Sequence, residues 1–345
     1  MNPTATQPKY SALLLCLALS WTLLACARNS SSPENTSKAS QTSVADAFIP
    51  SAIDPASVGT EPNPPAFDSA RAMQYVHDIV AFGPRPIGSA NHKKVEDYIH
   101  QHLQGIDVEN DNFEVETTEG KFPVHNIIAK FPGSRDGIIM LASHYDTNYP
   151  LRNTSYVGAN DGGSSSALLL EIANQLRGKR RDGYSVWLIW DDAEESMRLP
   201  WYDPESLYGV RHLAQKWQAD GTLKKVKGFL LEDMIGDADL NIEQEANSTP
   251  WLQSLVYQAA IRLGYQSHFF ARHFPMIDDH MPFIQFGVPA VDLIDFDYGY
   301  NNVFWHTPQD TVDKLSPKSL EIVGAVTLET IQLLDKQTDK QPDKK

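Results

Sequence analysis

Disulfides are the first thing this sequence rules out. It holds two cysteines, Cys16 and Cys26, and none from residue 27 onward, so whatever folds beyond that point rests on a packed core and not on cross-links. Positive charge is also short. Lysine and arginine number 29 against 44 aspartates and glutamates, a formal net charge of −15. A nucleic-acid or anionic-lipid partner needs a basic surface to meet its phosphates, and this balance argues against both. It suits a chain that holds cations with carboxylates. Long apolar runs are scarce too. The run from Ser11 to Ala25 falls short of the ~20 residues of a membrane-spanning helix and matches the core of a signal peptide. No internal repeat is visible.

Lys9 precedes that run, which ends Leu23-Leu24-Ala25-Cys26, a small residue followed by cysteine. The pattern resembles a bacterial lipobox, in which cleavage leaves the cysteine as a lipid-carrying N-terminus. An ordinary secretory signal cut further on is the alternative. The expected layout is a lipoprotein signal peptide over 1–25, a disordered tether over 26–66 and a single globular domain over 67–335. A frayed tail over 336–345 completes it. The tether assignment rests on Ser, Thr, Ala, Pro and Asn with few large apolar groups. The expected location is the periplasm, with the membrane contacted only through a lipid on Cys26, and the expected state is a monomer.

Within the domain, helical and strand signals alternate. Met73, Val76, Ile79 and Val80 fall at helical spacing after Asp68-Ser69, a capping pair. Asn91 to Leu103 repeats that pattern, after a Pro- and Gly-broken stretch from Phe82 to Ser89. Strands are expected over 113–115 and 125–131, and a buried one over 137–143 that runs into His144-Tyr145-Asp146. Helices follow over 164–176, 207–217, 251–263 and 319–334, with further strands from Tyr184, over 228–233 and over 288–294. Such alternation defines an α/β fold: a mixed, mostly parallel central sheet with helices on both faces.

The strand from Tyr184 ends in Trp187-Leu-Ile-Trp-Asp-Asp-Ala-Glu-Glu-Ser196, with Asp191, Asp192, Glu194 and Glu195 inside five residues. Like charge at that density calls for a cation or a proton, and ligands bind at the carboxyl ends of strands in open α/β sheets. Two more strands end in acids or histidine, at His144/Asp146 and at Asp233. With Asp161 and His306 these give nitrogen and oxygen donors of the kind zinc accepts. Singly, Asp161 reads as a helix cap, His306 as a core histidine and Asp233 as a turn residue. Five such readings at one sheet rim require five coincidences.

Several motifs carry a resemblance. They are Gly83-Pro-Arg-Pro-Ile-Gly-Ser89, Ser143-His-Tyr-Asp146, Gly158-Ala-Asn-Asp161, Asp192-Ala-Glu-Glu195, Leu231-Glu-Asp-Met-Ile-Gly236, Asp278-Asp-His-Met-Pro-Phe283 and Trp305-His-Thr307. Over about residues 70 to 335 the chain resembles the zinc aminopeptidase family M28, and within it the glutaminyl cyclase branch. The resemblance implies a phosphorylase/hydrolase-like fold and a peptide N-terminus as substrate. Asp161, Glu195 and His306 are implied as zinc ligands and Glu194 as the acid/base. His144 and Asp233 are candidates for a second metal, with Asp161 bridging. It implies one zinc for a cyclase that turns N-terminal Gln into pyroglutamate with release of ammonia, and two for an aminopeptidase. Asp278 and Asp233 are implied to share a hydrogen-bond network with Glu194, and Trp201 and Trp305 to wall the substrate pocket. Gly162-Gly163 and Asp237-Ala-Asp-Leu-Asn-Ile242 look more like bacterial M28 peptidases. The ligand set itself fits both activities.

Overall fold

The buried strands come first because they set where everything else lies. In the computed structural model, which describes residues 48–337, Ile138 to Ala142 are nearly or fully inaccessible, as expected of a strand covered on both faces. They sit in β3 (Gly133–His144), inside a six-stranded sheet. The other strands are β1 (Asp107–Thr117), β2 (Gly120–Phe131), β4 (Arg181–Asp191), β5 (Val226–Asp233) and, last in the chain, β8 (Ala290–Ile294). Their order across the sheet is β1-β2-β4-β3-β5-β8. β3 runs parallel to β4 and β5, and β5 to β8, whereas β1–β2 and β2–β4 are antiparallel. A separate two-stranded ribbon pairs β6 (Ile242–Glu245) with β7 (Phe269–Phe274).

Alternation along β4 sends its side chains to two cores. Val186, Leu188 and Trp190 face a large cluster shared with α2 (Ser69–Val80), α3 (Ala90–His102), α4 (Gly163–Leu176), α6 (Pro250–Leu263) and α8 (Pro317–Lys336). Trp187 and Ile189 face a second cluster with α5 (Tyr208–Asp220) and α7 (Met281–Gln285). Helices therefore cover both faces. α4 is buried almost all round; Leu168, Leu169, Leu170 and Ile172 are at most 1% exposed, each contributing roughly 1.5–3 kcal/mol of apolar burial. The caps at Asp68 and Ser89 accept the N–H groups of Arg71 and His92, as their residue types suggest.

Two expectations need correction, and three short elements were not expected at all. The hairpin strands β1 and β2 are far longer than 113–115 and 125–131, because each residue of β1 pairs in register with one of β2. The ribbon β6–β7 and the short α7 carry too few periodic residues to signal themselves. The tether does not extend to residue 66. Phe48 packs on Tyr257 and Phe270, each at 5.9 Å, and its carbonyl accepts from Gln244 Nε2 at 2.7 Å. A short helix α1 (Pro55–Val58) follows. Glu61 N–H then donates to the Arg262 carbonyl at 2.9 Å while its carboxylate pairs with the Arg262 guanidinium. Average composition hid these few anchoring side chains. The signal segment, Cys26, the rest of the tether and residues 338–345 lie outside the described residues. Among the described residues no helix is long and apolar enough to cross a membrane.

Candidate metal centre

Parallel register brings the acids together. His144 is level with Asp191 at the ends of β3 and β4, and Ala142 with Leu231, so His144 and Asp233 finish side by side. The chain turns tightly just beyond β4 and β5, and again at His306. Ala193, Met234 and His306 hold positive φ of 59, 49 and 52°, a conformation that non-glycine residues adopt at some cost and that clusters at functional sites. Gly162, at φ 72°, opens α4 where a Cβ would lie 2.7 Å from His144 Cε1, so only glycine lets the imidazole approach. Asp161 therefore does not cap α4; its carboxylate turns into the rim.

Two triads result, and they share one residue. His144 Nε2 lies 3.2 Å from Asp161 Oδ1 and 3.3 Å from Asp233 Oδ1. His306 Nε2 lies 3.4 Å from Asp161 Oδ2 and 3.1 Å from Glu195 Oε2. Within each triad the potential ligand atoms fall inside 4.8 Å of one another. Both His144 nitrogens, Glu195 Oε1 and Asp233 Oδ1 are buried without a hydrogen-bond partner among the described residues. Buried polar atoms are rarely left so. Imidazole nitrogens and carboxylate oxygens converging in that state fit a divalent metal ion.

The surroundings hold the ligands. Asp146 stands 3.5 Å from His144 Nδ1, beyond hydrogen-bond contact, and accepts the N–H groups of Glu194 and Glu195, each at 3.3 Å, which ties the turn after β4 to the end of β3. Asp310 accepts from Asn160 N–H at 2.8 Å and Asp161 N–H at 3.2 Å, and Tyr298 OH donates to it at 2.8 Å. Asn148 donates to Glu195 Oε2 at 2.8 Å and Tyr156 OH to Asp161 Oδ2 at 2.6 Å. Burial lowers the tendency of His306 to protonate, but the Glu195 and Asp161 carboxylates outweigh it and raise its pKa to about 10. Burial, with Glu195, Asp278 and Asp146 close by, pushes Glu194 well above the usual carboxylate range, against the pull of His144. Burial and the charge of Asp233 do the same to Asp278.

Above the second triad lies a cavity of about 250 Å³, lined by Glu194, Asp278, Trp201, Trp305, Phe296 and Ile277 among others. Its size suits one side chain. Trp305 stacks on His306 with ring centroids 3.9 Å apart, and Phe296 meets Trp305 edge-on at 4.9 Å. Every residue expected at the site from the sequence is here: Asp161, Glu194, Glu195, Asp233, His306, Trp201, Trp305 and Asp278 line this cavity, and His144 stands behind it. Asp278 Oδ1 accepts the N–H of Asp279 at 2.6 Å. Asp192 turns away from the rim to His92 Nε2 at 2.7 Å and the N–H of His125 at 2.8 Å, a structural post. Tyr156, Asn148, Phe296 and Ile277 carried no sequence signal, being common residue types in irregular stretches.

An α/β sheet whose rim presents two histidine–carboxylate triads around a shared aspartate defines a metal-dependent enzyme. Residues 126–331 match the family model Peptidase family M28, and the chain belongs to that family. It is 31% identical over 255 residues to the glutaminyl-peptide cyclotransferase of Drosophila melanogaster, covering 66% of this chain and 70% of that one. Among solved structures it is similar to Acidobacteriales bacterium glutaminyl cyclase, at 45% identity and TM-score 0.78 over 81% of this chain and 98% of that one. A Zn-dependent exopeptidase from Parabacteroides distasonis aligns at 26% identity and TM-score 0.70, over 80% of this chain and all of that one.

Proposed function

We propose that the chain is a zinc-dependent glutaminyl-peptide cyclotransferase, closing an N-terminal glutamine into pyroglutamate with release of ammonia. The observation that carries this reading is the small aromatic-walled cavity seated directly over Asp161, Glu195, His306 and the free carboxylate of Glu194. The likeness to cyclases in sequence and in structure supports it. Asp161, Glu195 and His306 would hold the zinc. When bound, the ion supplies Lewis acidity toward the side-chain carbonyl of the glutamine.

The protein's own groups do the rest. Trp201, Trp305 and Phe296 enclose the glutamine side chain and keep water away, since water would divert the reaction to plain deamidation. The substrate's α-amine nitrogen bonds to the side-chain carbonyl carbon. Glu194 accepts the proton that this amine sheds and passes it to the amide nitrogen, which leaves as ammonia. A raised pKa fits that duty, because a group that both takes and gives a proton works best near the operating pH. Asp278, buried at the same cavity wall, belongs to the crowd of acids that, after burial, holds the Glu194 pKa up.

A second reading draws on the other triad. His144 and Asp233 with a bridging Asp161 could hold a second ion, the arrangement of an aminopeptidase that hydrolyses the first peptide bond. Incubation with Gln-initiated and Leu-initiated peptides separates the two. The cyclase releases ammonia and a blocked peptide from the first alone; free amino acids from both overturn it. Zinc counted per purified chain gives one ion for the cyclase and two for the peptidase.

Export and lipid attachment at Cys26 are proposed as well, supported by Leu23-Leu24-Ala25-Cys26. Cys26→Ser should then move the protein from the membrane to the soluble periplasmic fraction, and an unchanged membrane fraction counts against the anchor.

A further inference from the structure

The two triads compete for one carboxylate, and they are not built alike. Asp161 presents Oδ1 to His144 and Oδ2 to His306. On the His306 side each carboxylate oxygen nearest the imidazole also receives a neutral donor, Tyr156 OH on Asp161 Oδ2 at 2.6 Å and Asn148 Nδ2 on Glu195 Oε2 at 2.8 Å. On the His144 side, Asp233 Oδ1 and His144 Nε2 have no hydrogen-bond partner among the described residues.

The donors themselves are fixed. Tyr156 is 1% and Asn148 0% exposed, and neither lines the substrate cavity. The segment carrying Tyr156 is clamped by the buried Arg85 guanidinium, which donates to the carbonyls of Val157, Gly158 at 2.9 Å and Asp161 at 3.3 Å. A neutral donor holds a carboxylate in one rotamer and draws off charge where two carboxylates converge, so less rearrangement is left for the incoming ion. Loss of such a partner typically weakens metal binding about 10–100-fold.

We propose that Tyr156 and Asn148 are positioning residues that make Asp161–Glu195–His306 the first seat filled by a divalent ion. His144–Asp161–Asp233 is then the second and weaker seat. The proposal deepens the single-zinc reading above and gives it a cause: the same ligand types are present on both sides, and the preference comes from the donors behind them.

The test titrates metal-free full-length protein with Zn²⁺, and separately Co²⁺, against a competing chelator, with no substrate present. Tyr156→Phe and Asn148→Ala should bind the first ion about tenfold or more weakly, while Asp233→Asn should stay within about threefold of the wild type, since its carboxylate belongs to the other seat. The visible absorption of the first Co²⁺ equivalent should change in Tyr156→Phe and persist in Asp233→Asn. First-ion affinity unchanged in both Tyr156→Phe and Asn148→Ala, or lost in Asp233→Asn, overturns the assignment. Should Tyr156→Phe fail to fold, Asn148→Ala carries the test at the same threshold. Turnover of Gln-initiated peptide judges the cyclase reading separately. Affinities in the expected order without cyclisation would sink that reading and leave the seat assignment standing.

Discussion

The sheet rim and the helical layer of α2, α4, α6 and α8 both bury carboxylates, and they neutralise them by different means. In the helical layer the cation is internal. Arg71 donates to both oxygens of Glu171 at 2.6 and 2.7 Å, and Arg262 to Glu329 at 2.6 Å. At the rim, Asp161, Glu195 and Asp233 find histidines at ion-pair distance, with ligand atoms left without partners. Glu232, facing α8, takes a third course. Burial raises its pKa to about 8, opposed only in part by the Thr327 hydroxyl, so a proton neutralises it. A carboxylate with an arginine is finished structure. One with imidazoles and open lone pairs is prepared for an ion from outside.

Removing metal gives the largest contrast. Chelation should abolish turnover of a Gln-initiated peptide and lower the melting temperature, with zinc restoring both. A ligand at 100 times its Kd adds about 2.7 kcal/mol to stability. Full turnover after exhaustive chelation would break the comparison, because the rim would then need no external cation. Glu194→Gln should separate proton transfer from ion binding. Zinc content stays at the wild-type level and turnover falls about 10²–10⁴-fold; retained turnover would remove Glu194 from its role.

Arg262→Met probes the other region. It strands Glu329, which is 0% exposed, and releases Glu61. Denaturant unfolding should show a loss of about 3 kcal/mol, with zinc content and activity per folded molecule unchanged. A loss of zinc instead would mean that the two regions are coupled.

The smallest effect concerns Glu232. Its folded pKa of about 8 stands above the ordinary 4.5, so the folded state keeps a proton that the unfolded chain releases. The stability this group contributes is whole below about pH 4.5 and is lost as pH rises through 8. Melting temperatures of Glu232→Gln and the wild type should therefore diverge between pH 5 and 8.5, the variant falling less. Parallel curves would show that Glu232 is neutralised by something other than a proton.

Much of this was legible beforehand, for definite reasons. Helical patterning placed α2, α3, α4, α5, α6 and α8, and the capping pair Asp68-Ser69 marked the start of the first of them. Continuous apolar runs marked β3, β4 and β5, and the acids closing those runs marked the rim, because strand direction alone gathers strand ends on one edge. The docked segment from Phe48 to Glu61 was not legible, since its anchors are single residues whose partners, Tyr257, Phe270 and Arg262, lie some 200 residues away. The same holds for Phe296 and Ile277 in the cavity wall: nothing in their local sequence says which surface they face.

What the sequence determined by itself is the inventory. His144, the acids from Asp191 to Glu195 and Asp233 stand at strand ends, its cysteines cannot cross-link the domain, and its charge points to cations. Which oxygen faces which imidazole was decided only by the tertiary structure. Asp161 serves two triads because Gly162 lets His144 close in from one side while the left-handed turn at His306 brings the other ring across. Tyr156 and Asn148 distinguish those triads through hydrogen bonds that exist only once separate stretches of chain have been packed together.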